Sequence, residues 1–453
     1  MTSTPSSSSQ KNALLAFWQA FYYSAKREWQ FLMAKPFDFA MIFWLPFITT
    51  FLVWWIFSRG MITDIPIGIV DNSHSPQSAT LIRYIDSTPD VAVTQQFWDT
   101  ASAQHAIQRG QVYGVVEIPS DFATQLLTAQ PTRILLNVNA QYGTHSGMIQ
   151  KGVQSAVLTY SAGAKIQGRI AKGQDSEQTK ATFNPIQTQM VGLFNRANNY
   201  QQFLAVTVIP ALLHILAMVI GASTLGREIR DKTIDDWYQC LLGNGLLNNG
   251  LLGNDLLGNN LGNNLTNTTS PTPTTPPLTH PDILMPKPNF WLLMAGLNGK
   301  FIWQMLAYTL WGAVLLTLAM QLHPISLGAW LVTYTGFLLL MMLSFWLGLI
   351  VTLGTFSYRQ GLSMTAFIAA PSFAFSGVTF PYIAMSDGAK KWADCLPLTH
   401  YLRIQIPQLE MSAPPSLAIP IVLGFMVAVA LAMLWAIALT RRALATPHRW
   451  GQR

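Results

Sequence analysis

Charge is scarce in this chain. Of its 453 residues only 10% are Asp, Glu, Lys or Arg, while 50% are hydrophobic, including 15 Trp and 24 Phe. Soluble domains carry about a quarter charged residues, so this balance excludes an ordinary soluble protein and implies one that lives in a bilayer. Catalytic signatures are missing as well. There is no HExxH, no Cys/His metal spacing and no nucleophile with a paired base, so neither a catalytic residue nor a metal site is expected. Gly299 and Lys300 resemble part of a phosphate loop, but Met294 stands where the first glycine is required and Phe301 where Ser or Thr must follow. No nucleotide-binding loop is therefore present in that stretch, and Lys300 reads better as the cytoplasmic anchor of the third membrane span.

Long apolar runs are what the chain does have. A hydrocarbon core of ~30 Å needs about 20 apolar residues per crossing, and runs of that length lie at Phe37–Phe57, Phe203–Leu225, Phe301–Met320, Gly328–Leu353, Gly361–Phe380 and Leu417–Thr440. The expected fold class is an α-helical membrane protein with six transmembrane helices. Pro371 and Gly377 interrupt the fifth, which reads as a broken or re-entrant element sheltered inside the bundle. Lys26, Arg27 and Lys35 precede the first span, Arg227, Arg230 and Lys232 follow the second, Arg359 separates the fourth from the fifth, and Arg441, Arg442 and Arg449 follow the sixth. The positive-inside rule then makes both termini cytoplasmic. Only two cysteines occur, Cys240 and Cys395, and this topology puts them on opposite sides of the membrane, where they cannot pair. The net charge of +7 reflects the same positive-inside bias plus a basic external domain, and does not point to a nucleic-acid partner.

Residues 59–202, between the first two spans, have the composition of a soluble protein and read as an inserted extracytoplasmic α/β domain. Strands are expected at Ile65–Asp71, Val112–Ile118 and Ile134–Ala140, and helices at Ser75–Ile85, Ala101–Arg109 and from Pro119 through Leu127, with a long polar helix from Gly143 towards Phe183. The remaining order is a tail with an interfacial helix (1–36, the helix at Ala13–Lys35 after a disordered Met1–Gln10), the first span (37–58), the second span (203–225), a cytoplasmic helix (226–240), spans three to six (287–440) and a cytoplasmic tail (441–453). Residues 241–286 repeat LLGNG, LLNNG, LLGND, LLGNN and run into TNTTSPTPTTPP. So few copies bury little core, so the insertion reads as disordered and cytoplasmic.

Two motifs carry the functional reading. GREIRDKTIDDW at Gly226–Trp237 is the densest charge cluster in the chain and follows directly on the second span. Anchoring explains Arg227 and Arg230, but not Glu228, Asp231, Asp235 and Asp236, which suit a helix docking into another protein. PSFAFSGVTFPYIAM at Pro371–Met385, followed by PLTHYL at Pro397–Leu402, reads either as a passive kink or as a short re-entrant pair closing the external end of a translocation path. Its candidate residues are Pro371, Ser376, Gly377, Phe380 and Pro381. His214 joins them as the only ionisable residue well inside an expected span, although a neutral His bonded across helices is the plainer reading.

Together these motifs resemble the membrane subunit of type-2 ATP-binding cassette (ABC-2) exporters, in the multidrug and efflux branch with a large periplasmic domain. Arg227 and Glu228 match the first pair of that family's coupling-helix signature, and Lys232 and Thr233 the second. The resemblance implies that Arg227, Glu228, Arg230, Asp231, Lys232 and Thr233 meet a separate cytoplasmic ATPase, which holds the ATP and Mg while this chain binds no cofactor. It also implies a second permease copy or paralogue, a periplasmic adaptor protein, surrounding membrane lipid, residence in a bacterial inner membrane, and efflux of an amphipathic or drug-like substrate. The order of VDNSHSPQS, GQVYGVVEIPSDF and LLNVNAQYG matches the external domain of that branch. The 241–286 insertion departs from the family, which makes this connection short. An ion-coupled secondary transporter or a non-transporting membrane scaffold is the alternative. The former usually needs Asp or Glu at mid-membrane, and the six expected spans contain none.

Overall fold

The computed structural model describes residues 7–128, 130–170, 194–195, 199–243, 288–322 and 324–451. It divides into two compact units, one made of Met1–Ser58 with Asn199–Arg453 and the other of Arg59–Asn198.

The first unit is helical. Helix α1 (Ser7–Ala34) buries Ala20, Ser24, Glu28 and Leu32, an i, i+4 stripe that makes one face. Trp18, Tyr22 and Trp29 on the remaining surface are exposed, as a helix at a membrane interface requires. The helix already includes Ser7–Gln10, which the sequence assigns to a disordered tail, and residues 1–6 lie outside the described residues. Helices α2 (Pro36–Ile42) and α3 (Trp44–Ile56) follow, offset at Phe43. Together they form a candidate span, Pro36–Ile56, whose Phe37, Trp44, Phe51 and Trp55 are all exposed. That is the surface lipid would cover.

The second unit is a small α/β module. Strand β1 (Ile65–Asp71) lies centrally, parallel to β2 (Val91–Phe97) on one side and β3 (Gly114–Ile118) on the other, and β4 (Leu135–Val138) closes the sheet antiparallel to β3, giving the order β2-β1-β3-β4. Alternation decides the layers. Ile65, Ile67 and Ile69 face a core with Leu81 and Ile85 of α4 (Pro76–Asp86), Phe122 of α6 (Phe122–Leu127) and Ile149 and Val153 of α7 (Gly143–Ile170). Val70 and Val115 face Ala103 and Ala106 of α5 (Thr100–Gln108) on the other side. Ser75 caps α4 in a reciprocal box with Ser78, and the Ser78 hydroxyl donates to Asp71 at 2.7 Å, which gives VDNSHSPQS a local structural meaning. Strand β2 was not expected. Its VAVTQQF loses apolar alternation after Val93 because it is an edge strand with a polar outer half. The expected helix from Gly143 is observed to Ile170, and its continuation towards Phe183 lies outside the described residues.

The chain re-enters the helical unit through a π-helical turn, Gln201–Ala205, and continues as α8 (Val206–Asp231). Pro210 has no N–H for the Val206 carbonyl, and the Gln405 side chain donates to that oxygen instead, at 2.7 Å. After α9 (Ile234–Leu241) come α10 (Phe290–Met320), α11 (Leu327–Thr355), α12 (Tyr358–Ala369), a 3₁₀ segment (Ala370–Ser376), α13 (Asp387–Cys395), α14 (Pro397–Glu410) and α15 (Ile419–Leu444). Helices α8 and α11 cross with their backbones in contact. A side-chain carbon on Gly221 would fall 2.1 Å from the Phe345 carbonyl oxygen, and one on Gly348 would fall 2.0 Å from that of Met218, the small-residue packing of membrane helices.

Among the described residues, five helices are long and apolar enough to cross a membrane: Pro36–Ile56, Gln201–Asp231, Phe290–Met320, Leu327–Thr355 and Pro415–Leu444. The expected fifth span at Gly361–Phe380 is instead the twelve-residue α12 running into the 3₁₀ segment, which ends at Gly377 with φ 86°. It is broken where Pro371 and Gly377 demand. The expected third span begins eleven residues too late, since α10 starts at Phe290 with Asn289 as its cap. Of the 241–286 insertion, Leu241 is the buried last residue of α9, and 244–286 lie outside the described residues.

Candidate functional site

The charged stretch after the second span splits into an inward and an outward half. Helix α8 carries Arg227 and Glu228 into the unit, where they are 5% and 6% exposed and meet Glu28 of α1 (0%) and Lys300 of α10 (1%). Lys300 Nζ donates to Glu228 at 2.7 Å and to Glu28 at 3.4 Å. Arg27 reaches Glu228 at 3.0 Å, and Gln304 donates to Glu28 at 3.0 Å. Arg227 pairs with both oxygens of Glu28 and lies 3.8 Å over the Phe31 ring. Thr233 donates to Glu228. Three cations and two carboxylates thus join α1, α8 and α10.

An isolated buried charge costs several kcal/mol and is tolerated only when paired and hydrogen-bonded. Here each carboxylate has two basic partners and one neutral donor, so the set holds together only as a whole. A second layer supports it. The Trp237 indole donates to the Ser24 hydroxyl at 3.0 Å, and that hydroxyl donates to the Gly296 carbonyl at 2.6 Å. Gly299 lets α1 and α10 approach, since a side-chain carbon there would lie 2.5 Å from the Phe21 carbonyl oxygen.

Lys300 is therefore not the membrane-surface anchor that its place before the expected third span suggests. With α10 beginning at Phe290, it is an internal residue of a long helix. The helices that contain the candidate spans also carry Arg227, Glu228 and Lys300, each nearer a helix end than His214 is.

The outward half forms a corner. Lys232 adopts the left-handed conformation, φ 60°, a C-terminal helix stop that usually takes Gly and costs other residues about 1–2 kcal/mol. Helix α9 then buries Ile234, Trp237, Tyr238 and Leu241. Arg230, Asp231, Lys232 and Asp236 remain exposed and Thr233 is half-buried. Asp235 and Asp236 sit in the first turn of α9, the end that favours negative charge. Burial, and then the charge of Asp236, raise the Asp235 carboxyl above the ordinary range. Arg230 and Asp231 pair bidentately at 2.7 and 2.9 Å. At about half exposure each, such a pair contributes only ~0–1 kcal/mol.

The expected external-gate residues cluster by sequence in the broken element. Pro371 and Ser376 lie in the 3₁₀ segment, where the Ser376 hydroxyl donates to the Phe373 carbonyl at 2.6 Å. Gly377 ends it, and Phe380 and Pro381 are exposed. His214 is not joined to them by any hydrogen bond or ring contact among the described residues. Its Nδ1 lies 2.6 Å from the Ser344 hydroxyl, which itself donates to the Leu340 carbonyl at 2.6 Å, so Nδ1 carries the proton and Nε2 is left without a partner.

Sequence reasoning missed Arg27, Glu28, Gln304 and Gln405, and placed Lys300 in the wrong role. One signal was readable. Ala20, Ser24, Glu28 and Leu32 share one α1 stripe, and a lone acid among small and apolar residues on a buried face needs a cation opposite.

A bundle of long apolar helices, tied by a buried ion network to a charged corner, defines a multi-pass membrane protein. Residues 37–240 match the family model described as ABC-2 family transporter protein. That match runs from α2 to α9, takes in the whole α/β unit and the charged corner, and supports an ABC-2 type permease, a transport component that works with a cytoplasmic ATPase. Searches of curated proteins and of solved structures return no match.

Proposed function

We propose that the chain is the membrane permease subunit of an ATP-binding cassette exporter and that the α8–α9 corner receives the stroke of a separate ATPase. The observation that supports this most is the continuity between surface and core: Arg230, Asp231, Lys232 and Asp236 are exposed immediately beside Arg227 and Glu228, which are locked to α1 and α10. A push on the corner is transmitted to three helices at once. Arg227 and Glu228 then act as internal struts, and the four exposed residues make the contact. ATP and Mg belong to the partner chain. In this reading the permease works in the inner membrane as a pair, with a second copy or a paralogue, and both termini are cytoplasmic. Residues 59–198 stand on the far side as the docking module for an adaptor, the 371–381 element and His214 line the outer part of the path, and the cargo is amphipathic.

The test is purification from native membranes followed by reconstitution. A cassette ATPase should co-purify, and Asp236→Lys or Lys232→Glu should lower its substrate-stimulated turnover with the amount of inserted permease unchanged. Transport that continues under an ion gradient without any ATPase would refute the reading and favour a secondary transporter.

A further inference from the structure

Beside the charged corner lie two adjoining cavities, walled in part by Arg227 and Arg230. The larger, about 470 Å³, is lined by Arg230 and Arg359 together with Ser357 and Tyr358. The smaller, about 210 Å³, is mostly apolar, with Leu32, Phe37, Met41 and Ile220 on its walls and Asp38, Arg227 and Gln304 among its polar residues. Tyr358 and Leu362 border both. Helix α8 runs along the pair, giving Val219, Ile220, Ser223, Thr224 and Arg227 to the smaller cavity and Ile229 and Arg230 to the larger one. The groove thus passes from apolar to cationic along a single helix.

Its charge is one-sided. Among the described residues no acidic side chain lines the larger cavity. Arg359 is exposed, and no carboxylate among the described residues pairs with it. Arg230 uses Nε and Nη2 on Asp231, which leaves Nη1 for another acceptor, and its guanidinium lies 5.3 Å from the Tyr358 ring centre. Arg442 and Arg449 stack over Phe356, a wall of the same cavity, and Lys232 packs against Gly451, another. Asp231 is taken up by Arg230, and Asp38 borders only the smaller cavity.

We propose that the two cavities form one site for an anionic glycerophospholipid, its phosphate between Arg230 and Arg359 and an acyl chain along α8 between α2 and α12. Volume and shape favour a lipid over a free anion. The larger space lies within the ~300–1,000 Å³ of small-molecule sites, more than a bare phosphate fills, and an ion has no use for the apolar cavity beside it. Two guanidiniums suit phosphate, and the N-terminus of α12 opens on the same space. The site depends on the helical unit lying in a membrane and not on coupling to an ATPase, so its failure and the failure of the exporter reading are separable.

The experiment uses the full-length chain in detergent, delipidated, then titrated with phosphatidylglycerol, phosphatidylcholine or inorganic phosphate, with bound lipid counted by native mass spectrometry. Phosphatidylglycerol should be retained in preference to phosphatidylcholine, and inorganic phosphate should not displace it. Arg359→Gln and Arg230→Gln should each weaken retention about fivefold, the usual effect of one basic residue on an anionic lipid. Leu362→Trp, which fills the shared wall, should reduce retention with both arginines intact. Lys390→Gln, on a distant helix, is the control and should change nothing. Equal retention of the two lipids, unchanged retention in both arginine variants, or complete displacement by inorganic phosphate would overturn the proposal. Arg359 is exposed and has no carboxylate partner among the described residues, so its variant tests the site without threatening the fold.

Discussion

Removing the charge of Glu28 is the sharpest test of the buried network. Glu28→Gln keeps the side-chain volume but leaves Arg227, 5% exposed, with no carboxylate, while Lys300 keeps Glu228 at 2.7 Å. Uncompensated burial of one member of an ion pair costs about 3–5 kcal/mol. For a helical unit of this size that corresponds to a loss of melting temperature on the order of 5 °C or more. The measurement is intrinsic fluorescence of the purified protein on heating at a fixed scan rate, because large membrane proteins unfold irreversibly. Arg227→Met alone should cost less, since Glu28 keeps Lys300 and Gln304. The double variant Glu28→Gln, Arg227→Met should recover much of the loss, since an apolar replacement for a buried pair is often neutral. Asp231→Asn, which breaks only the exposed pair with Arg230, should be nearly silent at ~0–1 kcal/mol. If Glu28→Gln melts within about 1 °C of the parent, the three helices are not held by this network.

Other expectations follow from separate parts of the molecule. Gly348→Ala would place a carbon 2.0 Å from the Met218 carbonyl oxygen, so α8 and α11 must separate; little of this variant should survive detergent extraction as monodisperse protein, whereas Gly424→Ala, with open space around it, should behave normally. Burial, opposed by Gln202, raises the Glu410 carboxyl to about 7. An acid raised above its unfolded value stabilises the fold when protonated, so stability should fall as pH rises from the unfolded carboxylate range to about 7 and then level off. Partial exposure keeps the effect below ~3 kcal/mol, Glu410→Gln should remove the slope, and an unchanged slope would reassign it. Residues 59–198, expressed alone, should be soluble and unfold cooperatively, since that unit holds its own sheet and core; a molten product would contradict the division. Ser102→Cys should react with a membrane-impermeant thiol reagent in intact cells, and reaction only after lysis would reverse the proposed topology.

The helical character and the first β-strand were legible because apolar run length and period are local properties. IPIGIVD is buried on both faces and reads as a strand in isolation, while VAVTQQF at the sheet edge shows its pattern only against β1. The breaks at Pro371 and Gly377 were equally visible. The ion network was not, because pairing Glu28 with Arg227, and Lys300 with Glu228, joins positions far apart in sequence. Reading GREIRDKTIDDW as one surface failed for a related reason. Arg227 and Asp231, four residues apart, share one face of α8, so periodicity does not separate the buried pair from the exposed one; Arg227 and Glu228 lie where α1 and α10 pack, while Arg230 and Asp231 are the last residues of the helix. Lys300 was misassigned because Trp291, Asn298 and the glycines around it weakened the hydropathy of the first turns of α10.

The crossing of α8 and α11 has a mechanical meaning. Most helix pairs are separated by a cushion of side chains whose rotamers let one helix slip past the other. Where Gly221 meets Phe345 and Gly348 meets Met218 there is no cushion, and main chain bears on main chain. The two helices therefore travel as a single plank, and relative motion within the bundle is left to the seams that retain side-chain layers, above all those of α14 and α15. The plank has the charged corner at the end of α8 and the stacked Phe356 at the end of α11, and these two ends border one cavity.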